Sequence, residues 1–142
     1  MVLIDVNVLV YAYRTELPNH AAFLQWIENC AASDQPFGVP DLVLSGFLRV
    51  MTLPKVFPTP TPLDEALRVV DWLRAQPNFL RINPGERHWE IFVRLCRQVS
   101  AKGNLIPDAY LAAIAIESGS EWVTTDRDYS RFPGLRWRHP LD

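Results

Sequence analysis

Short apolar runs alternate with longer stretches of helical periodicity along this chain, and that alternation limits its fold more than any other feature. Val2-Leu3-Ile4 reads as a buried strand that stops at Asp5 and turns into a helix-like stretch carrying Val8-Leu9-Val10. Phe23, Trp26, Ile27 and Cys30 recur at helical spacing between His20 and Ala31. Phe37-Gly38-Val39 is a second strand candidate, and Pro40-Asp41 leads into a helix over 42–51. The proline-rich segment from Thr52 to Pro62 must be a connection. Thr61 and Pro62 then read as the N-cap and first residue of a helix that buries Leu63, Leu67, Val70 and Leu73. Phe79 to Ile82 is a further strand candidate, and Asn83-Pro84-Gly85-Glu86 opens a helix with Trp89, Phe92, Cys96 and Val99. A helix from Pro107 to Glu117 with Gly119 as its stop, and a strand over Glu121–Thr125, complete the pattern. Parallel strands need long crossovers, so strands separated by helices of ten or more residues predict an α/β sheet covered on both faces. The whole chain, 1–142, is expected to be one domain.

Composition narrows the function classes. About half the residues are apolar (49%), enough for one core. The start of the chain runs directly into a strand pattern, and no uninterrupted apolar stretch approaches the ~20 residues a membrane span needs. A soluble, cytoplasmic protein is the expectation. Cys30 and Cys96 stand alone, without the short spacing of a zinc site, and both fall on apolar helix faces, which predicts buried free thiols. His20, His88 and His139 show no ligand spacing and receive no catalytic role. A net charge of −2 argues against a uniformly basic nucleic-acid-binding surface, yet it permits a nuclease if several of the sixteen acids gather at one place.

Three aspartates are placed to gather. Asp5 ends the first strand, Asp126 ends the last, and Asp108 lies in the first turn of the helix before that strand. In open parallel sheets ligands bind beyond the carboxyl ends of the strands. Nearby carboxylates repel one another unless a cation neutralises them, and oxygen-only donors favour Mg²⁺ or Mn²⁺ over zinc.

Four blocks spread over nearly the whole chain carry a resemblance: Leu3-Ile4-Asp5-Val6-Asn7-Val8-Leu9, Phe47-Leu48-Arg49-Val50-Met51-Thr52, Asp108-Ala109-Tyr110-Leu111-Ala112-Ala113 and Thr124-Thr125-Asp126-Arg127-Asp128-Tyr129. Together they resemble the PIN-domain ribonucleases and, among them, the VapC-type toxins of toxin–antitoxin pairs. The resemblance implies a doubly wound α/β fold with a central parallel sheet flanked by helices. It further implies a Mg²⁺-dependent endoribonuclease, with Mn²⁺ able to substitute, an RNA substrate, a homodimer and inhibition by a cognate VapB-type antitoxin. Asp5, Asp108 and Asp126 would be the catalytic metal ligands, with Asp128 a supporting acid. Asn7 and Thr124 would orient carboxylates or phosphate, and Arg49 would touch the RNA. The products implied are a 5′-phosphate and a 3′-hydroxyl.

One position departs from the pattern. Where the family often carries a glutamate ahead of the Phe-Leu-Arg segment, this chain has Gly46. Asp41 is the only nearby acid that could compensate, although five residues along a helix points it elsewhere; a cap is its alternative role. Arg127 and Arg131 are further phosphate-contact candidates. Of the five tryptophans, Trp26, Trp72 and Trp89 read as core or interface and Trp137 as an RNA contact. Two other functions compete: a degenerate PIN domain that only binds antitoxin, and a haloacid-dehalogenase-like phosphotransferase. The second needs an acid two residues beyond the first-strand aspartate, where this chain has Asn7, and a lysine from only Lys55 and Lys102.

Overall fold

The computed structural model describes residues 1–142. In chain order the elements are β1 (Val2–Ile4), α1 (Val6–Tyr13), α2 (His20–Ala32), β2 (Phe37–Gly38), α3 (Asp41–Met51) and α4 (Leu63–Arg74). They continue with α5 (His88–Gln98), α6 (Leu105–Ser118), β3 (Glu121–Val123), a 3-10 turn (Arg127–Arg131) and β4 (Trp137–Arg138). All strand pairs are parallel and the sheet order is β2-β1-β3-β4. The alternating pattern thus becomes a four-stranded parallel sheet flanked by six helices. Leu3 and Ile4 of β1 and Trp122 and Val123 of β3 are fully buried at its centre. No helix is long and apolar enough to cross a membrane.

Helix α6 sets how closely the helical layer approaches the sheet. Ala109, Ala112, Ala113 and Ala115 are wholly buried, and with such short side chains the helix backbone can lie near its neighbours. Gly119 ends it in the left-handed region (φ 67), where its N–H reaches Ile116 and that of Ser120 reaches Ala115. The helix α5 packs beside α6, and its start differs from the expectation at Asn83–Glu86. The Glu117 carboxylate accepts from the Gly85 and Arg87 N–H groups at 2.7 and 2.9 Å, tying that segment into a turn ahead of His88, where the helix begins.

Two other expectations are corrected. Phe79 to Ile82 forms no strand, only a single parallel bridge to Phe37, in which the Phe37 N–H donates to the Asn78 carbonyl and the Leu80 N–H to the Phe37 carbonyl before β2 itself ends at Gly38. Thr61 does not cap α4. Pro62 occupies the position before Leu63 without a side-chain cap, and the Thr61 hydroxyl instead accepts from Arg14 at 3.1 Å.

Candidate active site

The strand order reverses between β1 and β3, and where order reverses the connections diverge and leave a crevice at the carboxyl ends of the strands. A cavity of about 520 Å³ opens there, lined by Asp5, Asp108 and Asp126 together with apolar residues that include Val50, Val56 and Phe57. The three acids named from the sequence share this one space.

Asp5 is held on both oxygens. It is the N-cap of α1, with Oδ1 accepting from the Val6 N–H at 2.7 Å, while Oδ2 accepts from the Thr124 hydroxyl at 2.7 Å and the Asn7 amide at 3.2 Å. Its own N–H donates to Val123 O, continuing the ladder between β1 and β3. Burial pushes its carboxyl up to about 6; the Thr124 and Val6 donors partly offset this, and the charges of Asp108 and Asp126 push it further.

Asn7 and Thr124 form the brace behind Asp5. The Asn7 amide nitrogen also donates to Thr124 Oγ1 at 3.2 Å, its oxygen accepts from the Thr125 N–H at 3.0 Å, and Thr124 Oγ1 accepts from the Asp126 N–H at 3.0 Å. The Thr124 hydroxyl both donates and accepts, and its N–H donates to the Arg138 carbonyl at 3.1 Å, which suits a residue that is fully buried. The loops after β1 and β3 are thereby tied to each other.

Asp108 projects from the first turn of α6 and is half-buried. Burial raises its pKa, the Tyr129 hydroxyl works against that, and the charges of Asp126 and Asp128 add to the rise. Asp126 caps the 3-10 turn by accepting from the Asp128 N–H at 2.9 Å. Asp128 itself is exposed and lies outside the cavity, so it reaches the site through its charge.

Sequence reasoning passed over Tyr129. This residue is buried, lines the cavity and donates its hydroxyl to Asp108 Oδ1 at 3.3 Å. Burial and the charges of Asp5, Asp108 and Asp126 all raise its pKa, so the phenol remains a donor. The signal was available in the spacing: a 3-10 turn brings i+3 back over i, which sets Tyr129 beside Asp126.

The remaining candidates lie elsewhere. Gly46 sits where α3 meets α1, and a Cβ there would stand 3.0 Å from Val6 Cγ2. Asp41 pairs on the surface with Arg74 and Arg81 and does not compensate for it. Arg49 is exposed in the last turn of α3 and does not line the cavity, and Arg127 pairs with Asp142. Trp137 belongs to β4, half-buried against the core and paired with Trp122, rather than to a free tail. Trp89, by contrast, is exposed (65%). Cys30 and Cys96 are half-buried, not fully buried, and burial pushes the Cys30 thiol up to about 11. His88 packs against Tyr110 and Phe92 and bonds to the Tyr110 carbonyl, a core role.

The donor set at the acidic end is entirely oxygen, which suits a hard divalent cation. No three acidic, histidine or cysteine side chains form a ready-made cage. Mg²⁺ is commonly held by one or two carboxylates with water completing its shell, and Asp5, Asp108 and Asp126 would be the residues to hold it.

A PIN domain family model matches residues 2–135. The chain is 50% identical over 142 residues to Ribonuclease VapC43 of Mycobacterium tuberculosis, covering 100% of this chain and 97% of that one. It is 44% identical over 140 residues to Ribonuclease VapC25 of the same species, covering 99% of each. Among solved structures it resembles VapBC2 from Rickettsia felis bound to a DNA fragment from their promoter, with a TM-score of 0.70 at 16% identity over 98% of both chains. It also resembles Mycobacterium tuberculosis VapC20, described as a Sarcin-Ricin loop cleaving toxin, with a TM-score of 0.65 at 14% identity over 96% of this chain and 99% of that one. At those identities the structural likenesses speak for the fold.

Proposed function

This chain belongs to the PIN-domain family, in its VapC branch, and from that premise we propose that it is a metal-dependent endoribonuclease, the toxin of a toxin–antitoxin pair. The observation that carries the chemistry is the meeting of Asp5, Asp108 and Asp126 in one cavity, with Asp5 buried and braced. Three acids held together at such a cost in repulsion and desolvation are of use where a cation offsets both. Asp5, Asp108 and Asp126 would hold Mg²⁺, or Mn²⁺ in its place, directly or through water.

When bound, the cation would polarise the scissile phosphate and lower the pKa of water at the site. The chain's own residues fix where that happens. Thr124 and Asn7 point donors at Asp5 Oδ2, and Tyr129 engages Asp108 Oδ1. Each carboxylate is thus oriented before a substrate arrives, which removes a reorganisation cost from the reaction. Asp128 and Arg49, outside the cavity, have supporting roles, the first through its charge and the second as an RNA contact on the exposed end of α3.

The Asn7 contacts weigh against the dehalogenase-like reading. Its amide is spent on Asp5, Thr124 and Thr125, and an amide is no general acid. No lysine lines the cavity either. As for Gly46, tight packing against Val6 takes the place of the missing acid, and the reading rests on three carboxylates rather than four.

The partners proposed are RNA as substrate, a VapB-type antitoxin as inhibitor and a second copy of the chain as a homodimer, acting in the cytoplasm. The test is incubation of total RNA with the protein in Mg²⁺ and in EDTA, followed by mapping of the cut ends. Discrete cuts with 5′-phosphates in Mg²⁺ alone support the reading, and intact RNA in both overturns it.

A further inference from the structure

The cavity has an apolar lining that the acids do not explain. Val50, Val56 and Phe57 face the same space as Asp5 and Asp108, and Val56 is an exposed apolar residue (47%) on the proline-rich segment between α3 and α4. That segment contains Pro54, Pro58, Pro60 and Pro62, so its backbone is stiff and short of N–H donors. It has no helix or strand of its own from Leu53 to Pro62 to hold it in place.

Arg14 supplies the hold. Its Nη1 donates to the Thr59 carbonyl at 2.9 Å and to Thr61 Oγ1 at 3.1 Å, and its guanidinium lies over the Phe57 ring at 4.0 Å. Glu16 accepts from its Nε at 2.6 Å and fixes the fork from the other side. The Arg14 side chain is only 12% exposed. One residue at the end of α1 therefore grips the segment at three points, and one of them, Phe57, is also part of the cavity wall. With a stiff backbone on either side, that grip fixes Val56 as well.

A space lined by both acids and apolar side chains matches the two halves of a nucleotide: the acids suit the phosphate with its cation, the apolar lining the base. A base stacked in a duplex cannot turn toward such a wall, whereas an unpaired one can. Resting on the ribonuclease reading above, we propose that Arg14 is a positioning residue for substrate. It latches the segment over 53–62 so that Val56, backed by the buried Phe57, receives an unpaired nucleobase beside the scissile phosphate. Lys55, next to Val56, puts a positive charge on the same segment.

The test measures cleavage of a randomised pool of 20-nucleotide single-stranded RNAs and, separately, Mn²⁺ affinity by calorimetry. The proteins are wild type, Arg14→Met, Arg14→Lys, Val56→Ser and the double variant Arg14→Met/Val56→Ser. Expected are a KM raised about fivefold by Arg14→Met and by Val56→Ser, with kcat within about twofold and Mn²⁺ affinity unchanged. Arg14→Lys should fall between wild type and Arg14→Met, because an ammonium keeps the charge and loses the fork. The double variant should be no worse than Arg14→Met, since both act on one wall. Val56 is exposed, so Val56→Ser tests the wall even if Arg14→Met unfolds. An unchanged KM in both single variants overturns the proposal and leaves the wall to a protein partner, and a parallel loss of Mn²⁺ affinity overturns it in favour of support for the acids. If wild type cleaves no member of the pool, the ribonuclease reading falls and this proposal with it.

Discussion

The Tyr129 hydroxyl donates to Asp108 Oδ1 at 3.3 Å from a ring buried between Trp122 and Phe132. A donor held beside one oxygen of a carboxylate turns the other oxygen toward the open cavity, and partners of this kind tune metal affinity in many sites. Tyr129→Phe keeps the ring and its packing and removes only the hydroxyl. Its Mn²⁺ affinity, measured by calorimetry, is expected to fall by about tenfold or less. An unchanged affinity would show that Asp108 needs no such guide.

Asp108→Asn and Asp126→Asn are expected to reduce RNA cleavage by on the order of 100-fold or more, with the fold retained. Each also removes a charge that repels Asp5. In EDTA both variants should therefore melt at or above the wild-type temperature. Full activity in either would remove that acid from the site.

Burial holds the Asp5 carboxyl at about 6, against 3.8 for the same group in an unfolded chain. Between those values the folded protein keeps the proton and the unfolded one has lost it. Stability without metal is accordingly complete below pH 3.8 and declines as pH rises through 6. The loss is on the order of 3 kcal/mol. Urea unfolding in EDTA at pH 4 and pH 7.5 measures it, with Asp5→Asn as the reference that lacks this titration. If wild type and Asp5→Asn change in parallel across that range, Asp5 is not the group responsible.

A Cβ on residue 46 would lie 3.0 Å from Val6 Cγ2. Replacing glycine by alanine inside a helix ordinarily gains about 1 kcal/mol, but here the stiff valine must yield first. Gly46→Ala is thus expected to be close to neutral in the wild-type background and to stabilise by about 1 kcal/mol in Val6→Ala. A double-mutant cycle of unfolding free energies reads the coupling, and an equal effect in both backgrounds would refute the contact.

The strand–helix alternation and the three acids were legible because each rests on local pattern: Val2-Leu3-Ile4 before Asp5, Glu121 to Val123 before Asp126, and Asp108 in a first helical turn. What was not legible depended on partners far away in sequence. Thr61 has the profile of an N-cap, yet Arg14 claims its oxygen from 47 residues away. The start of α5 was placed too early because Glu117, beyond the helix, binds the N–H groups of Gly85 and Arg87. Phe79 to Ile82 has strand character, but its neighbour β2 lasts only two residues and leaves it a single bridge at Phe37. Trp137 has the look of a surface residue in an arginine-rich tail until β3 pairs with it.

The bond from Thr124 to Asp5 joins residues 119 positions apart. During synthesis Asp5 is made well over a hundred residues before its brace and the Asp126 carboxylate, as the 119-residue separation of the Thr124–Asp5 bond requires. A chain interrupted anywhere before β3 has one end of the site and lacks the other. Until β3 and the segment after it are made, Asp5 lacks the hydroxyl that braces it and the acidic cluster is incomplete.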